Sequence, residues 1–280
     1  MSPLDFAAVE SVKPALGRLK DRVALVTGVA RPRGVGAAIA RLFAREGAAV
    51  CVTDMVPEVR ARAAEIEAAG GRALAIEADL TKWPAVEKMT AGIIASLGRI
   101  DILVNVAGKS VPPRPAFSDM SLEYFDMVMD RNLRTAVHCC KAVLPEMLGR
   151  NYGKIVNIGS TTGVVGVYRH CAAYAASKGA LTAFGKALAL EVGVHNINVN
   201  TIMPSDIDTG DAPWKPGDPA RDLGLYAAHL APAIPRPVRS EEVAELALFL
   251  AGDESRAVTG ASYLIDAGVT LVEGMVSGPQ

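Results

Sequence analysis

Residues 22–54, RVALVTGVARPRGVGAAIARLFAREGAAVCVTD, decide the fold that this sequence predicts. An apolar strand over residues 22–26 leads into a turn with three glycines, and a helix over residues 37–46 and a second apolar strand over residues 48–53 follow. Asp54 comes directly after that strand, 18 residues beyond the last glycine of the turn. In a dinucleotide-binding unit the glycines let the backbone approach a pyrophosphate, and the acid accepts hydrogen bonds from a ribose. The stretch therefore predicts a dinucleotide-binding fold.

The same alternation of strand and helix continues along the chain. Further helices are predicted over residues 57–69, 84–97, 121–148, from Tyr174 to 192, and over 241–251, and further strands over residues 72–78, 100–104, 154–158, 197–202 and 262–265. Repeated βα units form a parallel sheet with helices on both faces. We therefore predict an α/β protein with a single Rossmann-type, doubly wound parallel sheet of about seven strands.

Polar or small residues follow several of the predicted strands. In open α/β sheets, ligands bind at the carboxyl ends of the strands. The residues at these ends are Gly28, Asp54, Asp79, Asn105, Ser160 and Pro204. Their convergence predicts one active site at one edge of the sheet.

The chain is predicted to form one domain with a short addition at each end. We assign residues 1–20 to an N-terminal extension and residues 21–268 to the Rossmann-fold domain. Residues 269–280 have no strong structural signal, and we assign them to a C-terminal tail.

Residues 204–239 break the alternation, because they are rich in proline. A loop of this length in a compact domain is commonly a lid over an active site. The segment also contains Trp214, Leu225 and Tyr226, whose apolar groups need burial. We therefore predict a substrate lid in this part of the domain.

The composition bears on the class of protein and its partners. The chain has 280 residues, 50% of them hydrophobic, which is enough for one large core. A net charge of −1 gives no sign of binding to nucleic acid or to a membrane surface. No apolar run approaches the ~20 residues of a membrane helix, and the N-terminus has no signal core. The four cysteines form no C-x-x-C pair, so we predict reduced thiols, no metal site and a cytoplasmic location.

The stretch STTGVVGVYRHCAAYAASK, residues 160–178, contains the groups that can carry out chemistry. Alanines around Tyr174 favour a helix, on which Tyr174 and Lys178, at spacing i,i+4, project from one face. A free Tyr has a pKa near ~10, and a nearby cation lowers it by favouring the phenolate. Moving this pKa to ~7 takes about 4 kcal/mol, which we expect from Lys178 and a positively charged cofactor ring. Tyr174 is therefore a candidate general acid/base.

Together these motifs resemble the short-chain dehydrogenase/reductase family, in its single-domain NAD(P)-dependent branch. They occur in the family's order and extend over nearly the whole chain. The motifs are TG…GVG at 27–36, Asp79, NVAG at 105–108, Asn132, NIGS at 157–160, YAASK at 174–178 and MPSDIDT at 203–209. The resemblance implies a Rossmann domain, a nicotinamide cofactor and a small-molecule alcohol or ketone as substrate.

The resemblance also implies roles for individual residues. Tyr174 would be the general acid/base, and Lys178 would bind the nicotinamide ribose and lower the pKa of Tyr174. Ser160 would hydrogen-bond the substrate oxygen, and Asn132 would hold a water in a proton relay. The implied cofactor-binding residues are Gly28, Arg33, Gly34, Val35, Asp54, Asp79, Leu80, Asn105, Ala107, Gly108, Tyr174, Lys178, Pro204, Ile207 and Thr209.

Three departures from the family pattern affect the backbone near the cofactor. Five residues, Val29 to Arg33, separate Thr-Gly from the next glycine, where the family usually has fewer. Val106 stands in place of a second Asn, and Ser205 follows Pro204 in place of Gly. None of these changes removes a catalytic group.

We predict from these residues an NAD-dependent oxidoreductase that interconverts a secondary alcohol and a ketone by hydride transfer. Asp54 favours NAD over NADP, because its carboxylate repels a 2′-phosphate, whereas Arg31 and Arg33 would attract one. Two alternatives remain open, an NADPH-dependent 3-oxoacyl-type ketoreductase and a non-catalytic dinucleotide-sensing protein. The family and an apolar stripe on residues 241–251 also predict a homo-oligomer, either a tetramer or a dimer.

Overall fold

The computed structural model describes residues 16–112, 114–165, 170–209, 233–234 and 236–271. Trp214, Leu225 and Tyr226, on which the predicted lid rests, lie outside the described residues. The described ranges form an α/β domain around one central sheet.

Within the described ranges, nine strands form a large sheet and a small one. The strands are β1 Val23–Thr27, β2 Ala49–Asp54, β3 Arg72–Glu77, β4 Ile102–Asn105, β5 Gly153–Ile158, β6 Ile197–Pro204, β7 Ile207–Asp208, β8 Val238–Arg239 and β9 Ser262–Ile265. Seven of them form one parallel sheet in the order β3-β2-β1-β4-β5-β6-β9. The predicted doubly wound sheet of seven strands is therefore confirmed. The other two, β7 and β8, form a separate parallel pair.

Helices cover both faces of the large sheet. Those of the described residues are α1 Val35–Arg45, α2 Val59–Ala68, α3 Trp83–Leu97, α4 Leu122–Met129, α5 Thr135–Arg150, α6 Ala172–Val192 and α7 Ser240–Ala251. Residues of α1, α2 and α7 form a hydrophobic core on one face, and residues of α3, α5 and α6 form a second core on the other. The central strands β1, β4, β5 and β6 are buried along their whole length. Burial on both faces explains why these strands are continuous apolar runs in the sequence.

The order of the strands creates a crevice beside β1. From β1 the chain adds β2 and β3 on one side, and then β4, β5 and β6 on the other. Ligands of open α/β sheets bind at the carboxyl ends of the strands where the order reverses in this way. The turns after β1, β4 and β5 therefore lie where a ligand site is expected.

The structure corrects the single helix that the sequence predicts over residues 121–148. A π-helical turn, Asp130–Arg134, separates α4 from α5 and contains Asn132. No Gly or Pro marks this break in the sequence. A π turn accommodates one extra residue in a helix and is frequent at functional sites. Asn132 thus lies at a helix irregularity rather than in a regular helix interior.

Both predicted domain boundaries lie inside the folded region. Leu19, assigned to the N-terminal extension, is 1% exposed, and its N–H donates to the carbonyl of Glu46 at 3.0 Å. Val269, assigned to the tail, is buried in a short 3₁₀ helix. Asp266 holds this helix by accepting hydrogen bonds from the N–H and hydroxyl of Thr270. Residues on both sides of the predicted limits therefore pack as part of the domain.

Candidate active site

The predicted catalytic side chains come from two adjacent segments, the turn after β5 and the helix α6. Ser160 follows β5 and precedes a short 3₁₀ helix, where its Oγ accepts from the N–H of Thr162 at 3.2 Å. The side chain of Ser160 also lies near the phenol of Tyr174, in the first turn of α6, and favours the ionised form of that phenol. The structure thus brings the Ser160 hydroxyl and the Tyr174 phenol together.

Gly163 allows this approach between the two segments. A Cβ on Gly163 would lie 2.7 Å from the backbone nitrogen of Gly179 and 2.7 Å from the carbonyl carbon of Lys178. The 3₁₀ helix after Ser160 therefore packs directly on the backbone of α6. Because glycine has no side chain, the segment that contains Ser160 can pack closely on the helix that contains Tyr174.

We expect Gly163→Ala to lower kcat by about 10-fold, because the added methyl group separates Ser160 from Tyr174. Gly149→Ala is the matched control, since a Cβ at Gly149 in α5 meets nothing within 4 Å. Steady-state kinetics and thermal unfolding of both variants test this expectation. Unchanged kcat in the Gly163 variant would contradict it.

Lys178 lies one helical turn beyond Tyr174 and is buried, with 3% of its surface exposed. Its Nζ donates to the carbonyl of Ile158 at 2.8 Å and lies 5.8 Å from the centroid of the Tyr174 ring. Burial lowers the pKa of Lys178 to about 8. The ammonium is therefore fixed in position beside the phenol, at the end of β5.

The pKa of Tyr174 does not move in the direction that the sequence argument expects from Lys178. Burial raises it to about 12, against the lowering effects of Ser160 and of the charge of Arg114. Cys171 and Asp206 raise it further. Desolvation of the phenolate thus outweighs the nearby cations in this structure.

Asn132 holds the loop after β4. Its side chain is fully buried, and its Nδ2 donates to the carbonyls of Val128 at 3.0 Å and Lys109 at 3.2 Å. Its Oδ1 is buried without a hydrogen-bond partner. A Cβ on Gly108 would lie 2.6 Å from this oxygen, so the loop passes directly over the amide. The π turn also packs against α6, which places Asn132 on the same side of the sheet as Tyr174.

The glycine turn after β1 lies against the loop after β4. Gly28 has φ +69°, and a Cβ there would lie 2.8 Å from the backbone nitrogen of Ala107. The hydroxyl of Thr27 accepts from the N–H groups of Val106 and Ala107, both at 3.0 Å. Two of the predicted cofactor-binding segments are therefore joined by direct backbone contact.

Asp54 holds the other side of the glycine turn. Its Oδ2 accepts from the N–H of Ala30 at 3.0 Å, and its Oδ1 accepts from the N–H of Met55 at 2.8 Å. A carboxylate has about four acceptor positions, so two remain for further donors. Asp54 therefore both fixes the turn and keeps capacity for ribose hydroxyls.

The enlarged part of the glycine turn is fixed from two helices. Arg41 of α1 donates to the carbonyl of Pro32 at 2.8 Å, and Ser240 of α7 donates to the carbonyl of Arg33 at 2.8 Å. The turn then closes through the N–H of Gly34 and the carbonyl of Arg31 at 3.1 Å. Gly34 precedes α1, which begins at Val35, and provides no side-chain cap. The start of α1 therefore offers backbone N–H groups of the kind that bind a phosphate.

The remaining predicted cofactor residues lie along the carboxyl ends of β3, β4 and β6. Burial acts to raise the pKa of Asp79, but two hydrogen bonds donated by Thr81 and the charges of Lys82 and Arg131 together lower it. The carbonyl of Leu80 lies 3.0 Å from a ring nitrogen of His138. The amide of Asn105 donates to Oδ1 of Asn157 on β5 at 2.9 Å.

The backbone after β6 continues into the pair of short strands. Pro204 ends β6, and the N–H of Ser205 donates to the carbonyl of Ile265 at 3.3 Å. Ile207 in β7 pairs with Val238 in β8. Thr209 is the last described residue before residue 233. The substitution of Ser for Gly therefore leaves this backbone hydrogen-bonded to the edge strand.

Comparison with known proteins identifies the family. Residues 28–270 match the family model described as Enoyl-(Acyl carrier protein) reductase. A solved structure of a short-chain dehydrogenase/reductase mutant from Serratia marcescens has a TM-score of 0.81 and 33% sequence identity, and covers 90% of this chain and 99% of that one. The chain belongs to the short-chain dehydrogenase/reductase family.

Curated members of the short-chain dehydrogenase/reductase family extend the similarity over nearly the whole chain. "Oxidoreductase UcpA" of Salmonella typhimurium is 39% identical over 270 residues, which are 94% of this chain and 100% of the relative. An "NAD-dependent glycerol dehydrogenase" of Listeria innocua is 38% identical over 255 residues, covering 90% of this chain and 95% of the relative. This family member is therefore an oxidoreductase of the NAD(P)-using type.

The sequence did not reveal every contact that builds this site. Thr27 and Ser240 fix the backbone of the loop after β4 and of the glycine turn, respectively. Thr27 stands beside Gly28 in a motif, which is a local signal. Ser240 lies 207 residues from its partner Arg33, so no local pattern connects the two.

Other sequence predictions concern the thiols, membrane spans and metals. The four cysteines are free, as predicted, and all four are buried. In the part of the chain that the structure describes, no helix has the length and apolar character needed to cross a bilayer. The same residues contain no group of three or more His, Cys, Asp and Glu side chains suited to a metal ion.

Proposed function

We propose that this short-chain dehydrogenase/reductase interconverts a secondary alcohol and a ketone, with NAD as the preferred cofactor. The observation that supports the proposal is the juxtaposition of Ser160, Tyr174 and Lys178 beside a glycine turn of dinucleotide-binding type. A sensor that only binds a nucleotide does not need these three side chains beside its cofactor site. The relative described as an NAD-dependent glycerol dehydrogenase is consistent with an alcohol as substrate.

The residues present fit a nicotinamide dinucleotide. The uncapped start of α1 and the glycine turn suit a pyrophosphate, and Asp54 at the end of β2 suits a ribose. Lys178 and Asn105 would complete the cofactor site at the end of the central strands. The bound cofactor supplies or accepts the hydride.

The chain's own groups handle the proton and the substrate oxygen. Ser160 and Tyr174 bind the oxygen that changes between hydroxyl and carbonyl. In reduction, Tyr174 gives its proton to that oxygen, and in oxidation it takes the proton back. Asn132, whose Oδ1 is buried and without a partner, is the proposed holder of a relay water. Because burial keeps Tyr174 protonated in this structure, its pKa must fall on formation of the productive complex before oxidation proceeds efficiently.

An activity panel tests the proposal directly. Secondary alcohols with NAD or NADP, and ketones with NADH or NADPH, are followed by absorbance of the reduced nicotinamide. We expect turnover of at least one alcohol–ketone pair, with NAD preferred. Turnover only of 3-oxoacyl thioesters with NADPH would favour the ketoreductase alternative, and cofactor binding without any turnover would favour the sensor.

We expect NAD to be used at least ~10-fold better than NADP in kcat/KM, a difference of about 1.4 kcal/mol. A phosphate near Asp54 would place like charges together, which costs about 4 kcal/mol per unit pair at ~4 Å and an effective dielectric constant near ~20. Asp54→Asn should narrow the ratio, because it removes the charge and keeps an oxygen for the N–H of Ala30. Steady-state kinetics with both cofactors measures the ratio. Equal use of NADP by the unmutated protein would mean that Arg31 and Arg33 outweigh the carboxylate.

We also propose a homo-oligomer, on evidence different from the stripe on α7. Val243, Ala247 and Leu248 of that stripe pack into the core of their own chain, so the stripe does not indicate a partner. The edge strand β9 instead exposes Leu264 to 50%, and edge strands with apolar residues favour pairing. Light scattering should therefore give a multiple of the 29.3 kDa chain mass. A single species of chain mass at assay concentrations would contradict this proposal.

A further inference from the structure

Hydrogen bonds hold the loop between β4 and α4 beside the proposed catalytic groups. The carbonyl of Lys109 accepts from Asn132, and the carbonyl of Val111 accepts from the hydroxyl of Tyr124. Farther along, Arg114 extends to α6, where its Nη1 lies 4.0 Å from the sulfur of Cys171. The described part of this loop therefore presents a cation at the start of the helix that carries Tyr174.

Among the described residues, Arg114 has few partners for its charge. The residue is exposed, and within the described ranges the sulfur of Cys171 is its one hydrogen-bond contact. A thiol is a weak acceptor, whereas a guanidinium has five N–H donors arranged as a planar fork. Among the described residues no carboxylate forms an ion pair with it. Arg114 is thus available to an anion arriving from solvent.

Arg114 lies near the groups that are proposed to bind the substrate oxygen. Cys171 is the N-cap residue of α6 and precedes Tyr174 by three positions. The charge of Arg114 acts on the phenol of Tyr174 and favours its ionised form, so the two groups belong to one electrostatic environment. An anion bound by Arg114 would therefore lie next to the oxygen held by Ser160 and Tyr174.

We propose that Arg114 determines specificity by binding a carboxylate of the substrate, which makes the substrate class hydroxy acids and their oxo-acid partners. This inference rests on the proposed function and adds the substrate class to it. One guanidinium balances the single charge of a carboxylate and matches its two oxygens. A phosphate monoester carries nearly twice that charge at neutral pH, so the charge of Asp206, which also acts on the phenol, would repel it more strongly than a carboxylate.

The test compares acids with their neutral counterparts. Hydroxy acids with the hydroxyl on the second, third or fourth carbon, each beside its methyl ester, are assayed with the full-length protein, the Arg114→Gln and Arg114→Lys variants, and Arg72→Gln. Arg72 is exposed on the outer strand β3, so its variant removes an equal charge far from the site. We expect at least one acid to exceed its ester by about 10- to 100-fold in kcat/KM.

Arg114→Gln should abolish that preference by lowering kcat/KM for the acid, mainly through KM, about 10- to 100-fold more than kcat/KM for the ester, which loses only the effect of the Arg114 charge on the Tyr174 phenolate. Arg114→Lys should retain part of the preference, and Arg72→Gln all of it. Esters used as well as acids by the unmutated protein, an acid preference that survives Arg114→Gln, or better use of hydroxyalkyl phosphates would overturn the proposal.

A binding measurement separates this inference from the proposed function. Calorimetry with the oxo acids and the NADH-loaded protein should show affinity that falls about 10-fold or more in Arg114→Gln. If no substrate turns over and Arg114-dependent binding persists, the proposed reaction fails while carboxylate recognition stands. Absence of Arg114-dependent binding overturns the recognition proposal whatever the activity panel shows.

Discussion

Tyr174→Phe is expected to lower kcat by at least about 100-fold while the cofactor still binds. The phenyl ring fills the same space beside Ser160, so the change removes the transferable proton and little else. General acid/base groups contribute roughly 10²–10⁴ in rate, and the lower limit sets the expected effect. Single-turnover kinetics measures the chemical step, and fluorescence titration with NADH measures binding.

Tyr152→Phe is the matched control for this substitution. Tyr152 precedes β5 at the opposite end of the sheet, and its hydroxyl donates to Asp253 at 3.0 Å. Loss of that hydroxyl should leave kcat unchanged. Near-normal turnover by the Tyr174 variant, with its folding intact, would end the mechanism proposed here.

Lys178→Met is expected to reduce turnover by roughly 10²–10⁴-fold and to weaken cofactor binding. The substitution keeps the apolar length of the side chain and removes the ammonium that lies 5.8 Å from the Tyr174 ring. In the productive complex of the unmutated protein, the oxidation rate should rise with pH through an apparent pKa well below ~10, the value of a free Tyr. An unchanged pH profile in the residual activity of the variant would mean that Lys178 does not tune Tyr174.

The same substitution should stabilise the protein at neutral pH, which separates a catalytic loss from a folding defect. Burial lowers the pKa of Lys178 from 10.5 to about 8. At pH values between these two pKa values, the unfolded chain therefore binds more protons than the folded protein. The stability of the unmutated protein therefore rises with pH across that window, and the full penalty is present below pH 8. The shift in pKa corresponds to a destabilisation of the folded protein by about 3 kcal/mol. Lys178→Met removes this penalty but also loses the hydrogen bond to Ile158, which costs about 1 kcal/mol.

Urea denaturation between pH 7 and pH 10 measures this difference. The stability gain of Lys178→Met should be about 2 kcal/mol at pH 7 and should shrink as the pH approaches 10. Lys154→Met is the control, because Lys154 is a second buried lysine, bonded to Asn198 at 2.7 Å at the start of β5. Lys154→Met should leave kcat unchanged. A Lys178 variant that is less stable at pH 7 would show that the ammonium supports the fold.

Much of the architecture could be predicted because local patterns determine it. Strands buried on both faces are continuous apolar runs, and Gly47 and Gly98 end helical segments at recognisable positions. The order of strands and helices then leaves few sheet topologies, since parallel crossovers are right-handed. For the same reason the sequence alone predicts that the residues at the carboxyl ends of the strands meet at one site.

The remaining features depend on contacts between distant segments. Desolvation of Tyr174 depends on everything that surrounds it, so the i,i+4 pair did not reveal that burial raises the pKa of this phenol. The hydrogen bond from Ser240 to Arg33 links the two ends of the domain. The spacing of residues along the chain predicts neither the desolvation of Tyr174 nor this hydrogen bond. Arg114 was likewise not distinguished, because nothing in its neighbourhood in the sequence relates it to Cys171.

The π-helical turn at Asp130–Arg134 makes the position of Asn132 sensitive to chain length as well as to side-chain identity. Successive residues of an α-helix are rotated by about 100°, and a π turn accommodates one residue more than an α turn. Deletion of one residue between α4 and α5 would allow a continuous α-helix and would turn the amide away from the loop at Lys109. During divergence, a single codon loss in this segment would therefore remove a site residue as effectively as a substitution, with the rest of the catalytic set intact.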